Sequence, residues 1–216
     1  MKRIPFFTAA LAVTGLAILA FKPASDNGSH VSGVTRYSAP VQGATKWSVD
    51  KAHTNVIFSV SHLVVSDVQG SFKSFDGSME SAKADFTDAK ILFTVDVNSI
   101  YTDNDRRDGH LKSDDFFNAE KFPQIKFVST SFNKTGDNKY KLAGNLTIRD
   151  VTKPVTFDVT YGGTVNAMGG THIGFKAKST INRFDYNLKW NAATEAGNLV
   201  VGKDVDITIN LDLKKS

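Results

Sequence analysis

The sequence has 216 residues, 41% of them apolar, and a formal net charge of +4. Two of these charges belong to Lys2 and Arg3, and the others are mixed with acidic residues, which argues against a nucleic-acid-binding surface. There is no cysteine, which excludes disulfides and lipidation at a cysteine, and 16 Phe against 2 Trp and 5 Tyr favour an apolar interior.

The N-terminal segment predicts export from the cytoplasm. A basic pair at positions 2 and 3 precedes residues 4–21, an apolar run interrupted by two threonines and one glycine. We interpret residues 1–24 as a secretory signal that directs the protein to the periplasm, with an uncleaved anchor as the alternative. Residues 25–46 are rich in Ser, Gly, Thr and Asn and predict a flexible linker. The folded domain is then expected over residues 47–216.

Within this domain, apolar and polar residues alternate with a period of two, as in half-buried β-strands. The clearest run covers residues 89–98, and turn residues such as those at 136–138 predict hairpins between successive runs. Roughly eight strands are expected, which predicts an all-β domain, with an extended antiparallel eight-stranded barrel favoured slightly over a sandwich. Small residues on the apolar faces, Gly70 and Gly144 among them, are expected to leave space inside the barrel.

One stretch departs from this alternation, namely DRRDGHLKSDDFFNAEKFPQIKFVSTSF at residues 105–132. It begins densely charged, becomes aromatic, and alternates like a strand from Ile125 onward. We predict a short helix that runs into a strand, with Leu111, Phe116 and Phe117 as the apolar contacts. A single helical insert in an all-β chain suggests a plug, a lid or a packing element.

The sequence carries no catalytic or metal-binding signature. The five histidines lack HExxH or a similar ligand spacing, and there is no G-x-S-x-G motif, phosphate-binding loop or dinucleotide fingerprint. We therefore predict no catalytic residue, no metal site and no cofactor. Two alternatives stay open: an enzyme or stress-response protein with a polar His/Arg site at the barrel mouth, and a filled barrel that only binds a partner.

Seven motifs, in order along the chain, carry a resemblance to a known family. They are W-x-V-D-x-x-H-T (47–54), F-x-V-x-H-L (58–63), V-x-G-x-F (68–72), R-D-G-H-L-K-S-D-D-F-F-N (107–118), F-P-x-I-x-F (122–127), G-N-L-T-I-R-D-V-T-K-P-V (144–155) and I-N-R-F-D-Y (181–186). This series resembles the YceI-like, polyisoprenoid-binding family of secreted bacterial proteins. The resemblance implies a lipocalin-like barrel that holds a long polyisoprenoid, such as a prenyl phosphate or an isoprenoid quinone, without catalysis.

The alternation of the strands, together with the resemblance, suggests which side chains meet the ligand. The predicted lumen residues are Phe58, Val60, Phe72, Phe93, Val95, Phe127, Leu146, Phe157, Phe175, Ile207 and Ile209. The predicted head-group contacts are His62, Arg107, His110 and Arg183, because arginine at the mouth suits phosphate. The lipid is the expected partner, with a transient membrane contact and a homodimer both left open.

Two positions depart from the family's pattern, since Asp150 and Asn187 stand where the family commonly has glycine. Both side chains tolerate a left-handed backbone better than most, so we expect the two turns to be kept.

Overall fold

The computed structural model describes residues 43–167, 169–192, 197 and 199–216, so the predicted signal and most of the predicted linker lie outside the described residues. The described part contains one α-helix, α1 (Asp105–Lys112), and short 3-10 helices at Val97–Ser99 and Arg183–Tyr186. Its strands are β1 (Thr45–Val49), β2 (Asn55–His62), β3 (Ser66–Phe72), β4 (Phe75–Ser81), β5 (Lys90–Asp96), β6 (Ile100–Tyr101), β7 (Gln124–Gly136), β8 (Lys139–Ile148), β9 (Val151–Ala167), β10 (Gly170–Asn182) and β11 (Val201–Lys215). Because β1 begins at Thr45, the last two residues of the predicted linker belong to the folded domain.

The strands form one closed antiparallel barrel. β1 continues into β2, β3 into β4 and β5 into β6, so that each pair acts as one long bent strand and the barrel has eight long strands. Each long strand pairs with the next one along the chain, and β11 pairs with both β1 and β2, which closes the ring. The predicted eight-stranded barrel is confirmed, and the sandwich alternative is wrong.

The connections between strands fall at two ends of the barrel, because consecutive long strands run in opposite directions. What we call the helix end carries the β2–β3 hairpin, residues 102–123 with α1, the β8–β9 turn and the connection from β10 to β11. The other end, which we call the terminal end, carries residues 82–89, the β7–β8 and β9–β10 hairpins and the end of β11.

The break between β1 and β2 is bridged by a side chain. The buried Thr54 hydroxyl accepts a hydrogen bond from the Asp212 amide at 3.0 Å and donates one to the Asp212 carbonyl at 3.3 Å. It thus satisfies both backbone groups of a β11 residue where the strand ladder is interrupted. The Asp50 carboxylate accepts from the Ala52 amide at 2.9 Å and shapes the same turn.

Phenylalanine rings pack over glycines on the inner wall. A Cβ atom at Gly70 would overlap the ring of Phe58, and one at Gly144 would overlap the ring of Phe127. These glycines therefore make room for a neighbouring ring on the inner wall of the barrel.

The predicted helix is confirmed as α1, which begins after Asn104. The Asn104 side chain caps it by accepting from the Arg107 amide at 2.9 Å. Leu111 and Phe117 pack against the core, and Phe117 meets the ring of Phe72 edge-on at 6.1 Å between centroids. Within the described ranges, no helix has the length and apolar character needed to cross a membrane.

Both unusual turns at the helix end are present. Asn187 adopts a left-handed conformation, φ 60° and ψ 20°, as predicted for a residue standing where the family has glycine. In the β8–β9 turn the left-handed residue is Arg149, φ 55°, and not Asp150. The Arg149 guanidinium donates to the carbonyls of Phe116 at 2.8 Å and Asn187 at 3.2 Å, which ties this turn to both long connections.

Candidate ligand-binding lumen

The barrel interior contains a cavity lined almost entirely by apolar side chains. The cavity has a volume of about 130 Å³. A single water needs only about 10–15 Å³, so side chains do not fill the lumen completely. Its lining residues are Val49, Val56, Ile57, Phe58, Phe72, Ser78, Met79, Ile91, Leu92, Phe93, Val95, Ile125, Phe127, Phe132, Leu142, Leu146, Ile148, Phe157, Val159, Phe175, Ala177, Ile207, Ile209, Leu211 and Leu213.

Aromatic side chains close the terminal end. The buried Phe86 ring packs edge-on against Trp47, Tyr161 and Phe175, with centroids 6.4, 5.7 and 5.6 Å away. The loop that carries Phe86 is held by the Asp88 carboxylate. This carboxylate accepts hydrogen bonds from the Ser81 hydroxyl at 2.5 Å and from the amides at positions 82 and 83 at 2.9 and 3.2 Å. Burial raises the pKa of Asp88, but these hydrogen bonds outweigh it and leave the pKa below its usual value.

The structure places ten of the eleven predicted lumen residues along this cavity. The ten are Phe58, Phe72, Phe93, Val95, Phe127, Leu146, Phe157, Phe175, Ile207 and Ile209. Val60 is the exception, because it lies two residues nearer the helix end than Phe58, where the pairing of β2 with β11 becomes irregular between Val201 and Val205. Other lining residues such as Leu142 and Val159 follow the same period of two, so the sequence pattern could have found them.

Arg183 does not have the surroundings of a head-group contact. The residue is 3% exposed, and its guanidinium donates to four backbone carbonyls, those of Leu188 (2.6 Å), Trp190 (2.8 Å), Gly202 (2.8 Å) and Val201 (3.0 Å). Desolvation lowers the pKa of this arginine. These bonds give Arg183 a structural role, because they fasten the β10–β11 connection to the start of β11.

The other three predicted head-group residues lie nearer the surface of the helix end. Arg107 is half-buried and donates from Nε to the Thr102 hydroxyl at 2.7 Å and from Nη2 to the Thr102 carbonyl at 2.6 Å. The His110 imidazole contacts Asp115 at 2.9 Å, and both Arg107 and His110 line a surface groove with Asn104 and Arg106. His62 is half-buried at the end of β2, outside the set of residues that line this groove.

A second polar cluster lies outside the lumen, at the break between β1 and β2. Asp50, His172 and Asp212 each place a carboxylate oxygen or ring nitrogen within 4.8 Å of the other two. The buried His172 contacts Asp212 at 2.8 Å through Nδ1, and its Nε2 atom is buried without a hydrogen-bond partner in the described part of the chain. The adjacent His53 contacts Asp50 at 2.8 Å, and this hydrogen bond raises the pKa of His53 and lowers that of Asp50. Sequence spacing could not reveal this cluster, because its members come from three distant segments.

Comparison with known proteins identifies the family. Residues 47–213 match the YceI-like domain. The chain belongs to the YceI-like family. A UPF0312 protein of Staphylococcus aureus (strain MSSA476) is 40% identical to this YceI-like protein over 163 residues, which is 74% of this chain and 92% of the relative.

Solved structures of similar proteins share the fold of this YceI-like chain. Burkholderia cenocepacia BcnA superposes with a TM-score of 0.66 at 26% identity, over 76% of this chain and 98% of BcnA. A Campylobacter jejuni YCEI protein gives a TM-score of 0.60 at 30% identity, over 78% and 96% of the two chains. A polyisoprenoid binding domain from Saccharophagus degradans gives 0.57 at 16% identity, over 79% and 98%, a likeness that shows the fold alone.

Proposed function

We propose that this YceI-like protein binds the tail of a long-chain isoprenoid lipid in its lumen and carries or stores that lipid without catalysis. The observation that carries the proposal is the lining: of the 25 residues around the cavity, only Ser78 has a polar side chain. Such a surface excludes water and offers a hydrocarbon tail dispersion contacts and burial. It offers little to a sugar, a nucleotide or a peptide, whose polar groups would be left without hydrogen-bond partners.

The energetics of burial are compatible with binding by the tail alone. At about 0.8 kcal/mol for each buried carbon, one five-carbon isoprene unit contributes roughly 4 kcal/mol. Micromolar affinity corresponds to about 8 kcal/mol, and association costs an estimated 4–15 kcal/mol in lost freedom. About three to six buried units are therefore sufficient, and a specific head-group contact is not required for affinity.

Two further observations support parts of this proposal. The fold is shared with a polyisoprenoid binding domain from Saccharophagus degradans, and the apolar lining of the lumen supports the ligand class. The basic and apolar N-terminus predicts export, which supports a periplasmic location. An isoprenoid tail is nearly insoluble in water, so a carrier in an aqueous compartment needs an enclosed apolar space.

An occlusion variant tests the proposal. Ala177 is half-buried and lines the cavity, so Ala177→Phe adds a ring to the lumen without burying a charge. The matched control is Lys178→Phe, which adds the same ring at an exposed position of β10. We expect organic extraction of the purified proteins to yield much less isoprenoid from Ala177→Phe than from the control, with both variants folded by circular dichroism. Equal lipid content in the two variants would argue against lumen binding.

The alternative function is an enzyme with a polar His/Arg site at the helix end. It required His62, His110 and Arg183 to converge, whereas four backbone carbonyls engage the Arg183 side chain. Loss of a measurable turnover in a folded His110→Ala variant would restore that alternative.

A further inference from the structure

The β2–β3 hairpin ends in a tip of three apolar residues that project into solvent. The tip consists of Leu63, Val64 and Val65, which are 42%, 70% and 85% exposed. Single exposed apolar residues are common on protein surfaces, but three in succession at the end of a hairpin form a continuous apolar projection. Such a projection is expected where a protein meets another apolar surface.

The backbone of the tip is unfavourable for the residues it carries. Leu63 has φ 52° and Val64 has φ 65°, both in the left-handed region that glycine and asparagine adopt most readily. A β-branched valine is especially disfavoured there. The turn is held by hydrogen bonds from the Leu63 amide to the Val200 carbonyl at 3.0 Å and from the Val65 amide to the His62 carbonyl at 3.2 Å. Large apolar side chains at positions where glycine would be easier point to a role for the side chains themselves.

The tip stands at the helix end of the barrel, opposite the aromatic cluster around Phe86. Aromatic packing around Phe86 closes the terminal end, whereas the helix end carries the tip together with residues 102–123. β2 and β3 lead directly from the cavity to the tip, since Phe58 lines the lumen and lies five residues before Leu63. A lipid that leaves the lumen at this end would therefore emerge beside the tip.

The charged residues around the hairpin carry both signs and do not favour a partner of one particular charge. Near the base of the hairpin, the exposed charged residues include two acidic ones, Asp67 and Asp204, and a basic one, Lys203. An apolar contact with mixed charges around it suits the acyl region of a lipid bilayer, and it needs neither anionic head groups nor a protein with a matching charge pattern.

We propose that Leu63, Val64 and Val65 insert into the outer part of a lipid bilayer and so bring the helix end of the barrel to the membrane. The direction of lipid transfer rests on the proposed function, but docking itself does not. Three side chains provide only weak, reversible attachment, which suits a protein that must leave the membrane again with its cargo. The contact is expected to depend little on salt, because it is apolar.

The absence of cysteine makes a direct test available. A single cysteine at Val64→Cys carries an environment-sensitive fluorophore, and Val165→Cys is the matched control. Val165 is 57% exposed in β9 near its hairpin with β10, at the terminal end. With phosphatidylethanolamine–phosphatidylglycerol vesicles, we expect a blue shift and an intensity increase for the label at position 64 and no change at position 165. No change at 64, or equal changes at both positions, would overturn the proposal.

A charge variant provides the second measurement. Val64→Asp with Val65→Asp is expected to lower the vesicle-bound fraction by roughly tenfold, because aspartate is strongly disfavoured in the apolar part of a bilayer. Val165→Asp is expected to leave it unchanged. Lipid content, measured on the same preparations by extraction, separates the two proposals: lipid in the lumen without vesicle contact refutes docking alone, and vesicle contact without lipid refutes the lumen function alone.

Discussion

Replacing Arg183 provides a strong test of the structural account of the helix end. Arg183→Met keeps most of the aliphatic volume but leaves four backbone carbonyls without their donors, at Leu188, Trp190, Val201 and Gly202. Each lost hydrogen bond of this kind costs about 1–2 kcal/mol, and removal of the desolvated charge returns part of the total. We expect the free energy of unfolding to fall by about 3–5 kcal/mol, which lowers Tm by roughly 6–20 °C for a domain of this size.

The assay is urea unfolding of Arg183→Met followed by circular dichroism, with Arg106→Met as the control. Arg106 lies at the same end but is exposed, so its replacement should change stability by less than about 0.5 kcal/mol. If Arg183→Met instead unfolded like the wild type and lost bound lipid, Arg183 would be a head-group contact and the structural role would be refuted.

Three further outcomes follow from packing and electrostatics. Gly144→Ala should cost about 1–3 kcal/mol in urea unfolding, because its Cβ would overlap the Phe127 ring, and unchanged stability would show that the ring moves freely. Thr54→Val should cost about 1–3 kcal/mol, because it removes the hydroxyl that bridges to β11, and a smaller loss would mean that water replaces it. The hydrogen bond with Asp50 raises the pKa of His53, so its stabilising effect is complete below about pH 6.5 and is lost as pH rises through the folded-state pKa. His53→Gln should therefore be more destabilising near pH 5.5 than near pH 9, and an equal difference at both pH values would contradict this assignment.

The alternation of the strands was sufficient to predict the barrel and most of its lining. Inward positions such as Phe93 and Phe127 follow a period of two, and burying one face of each strand fixes its register. The helix could also be predicted from the sequence, because a charged run ending in aromatic residues cannot continue a strand pattern. Val60 was assigned to the cavity because alternation gives the face of a residue but not its height along the barrel.

Features that depend on distant contacts could not be read from the sequence. The guanidinium of Arg183 is chemically suited to bind a phosphate. Only the fold shows that it is surrounded by backbone carbonyls. The meeting of Asp50 with His172 and Asp212 likewise depends on how β1, β10 and β11 pair. The contact of Gly70 with the ring of Phe58 likewise depends on how neighbouring strands pair.

The central claim, a lumen occupied by a long isoprenoid, is tested most directly by native mass spectrometry with organic extraction. The protein would be purified from a bacterial periplasm without delipidation. The account predicts a near-stoichiometric adduct whose extracted mass corresponds to an isoprenoid chain with several repeating units. A well-folded protein that shows only the apo mass, under conditions that preserve other lipid complexes, would contradict it.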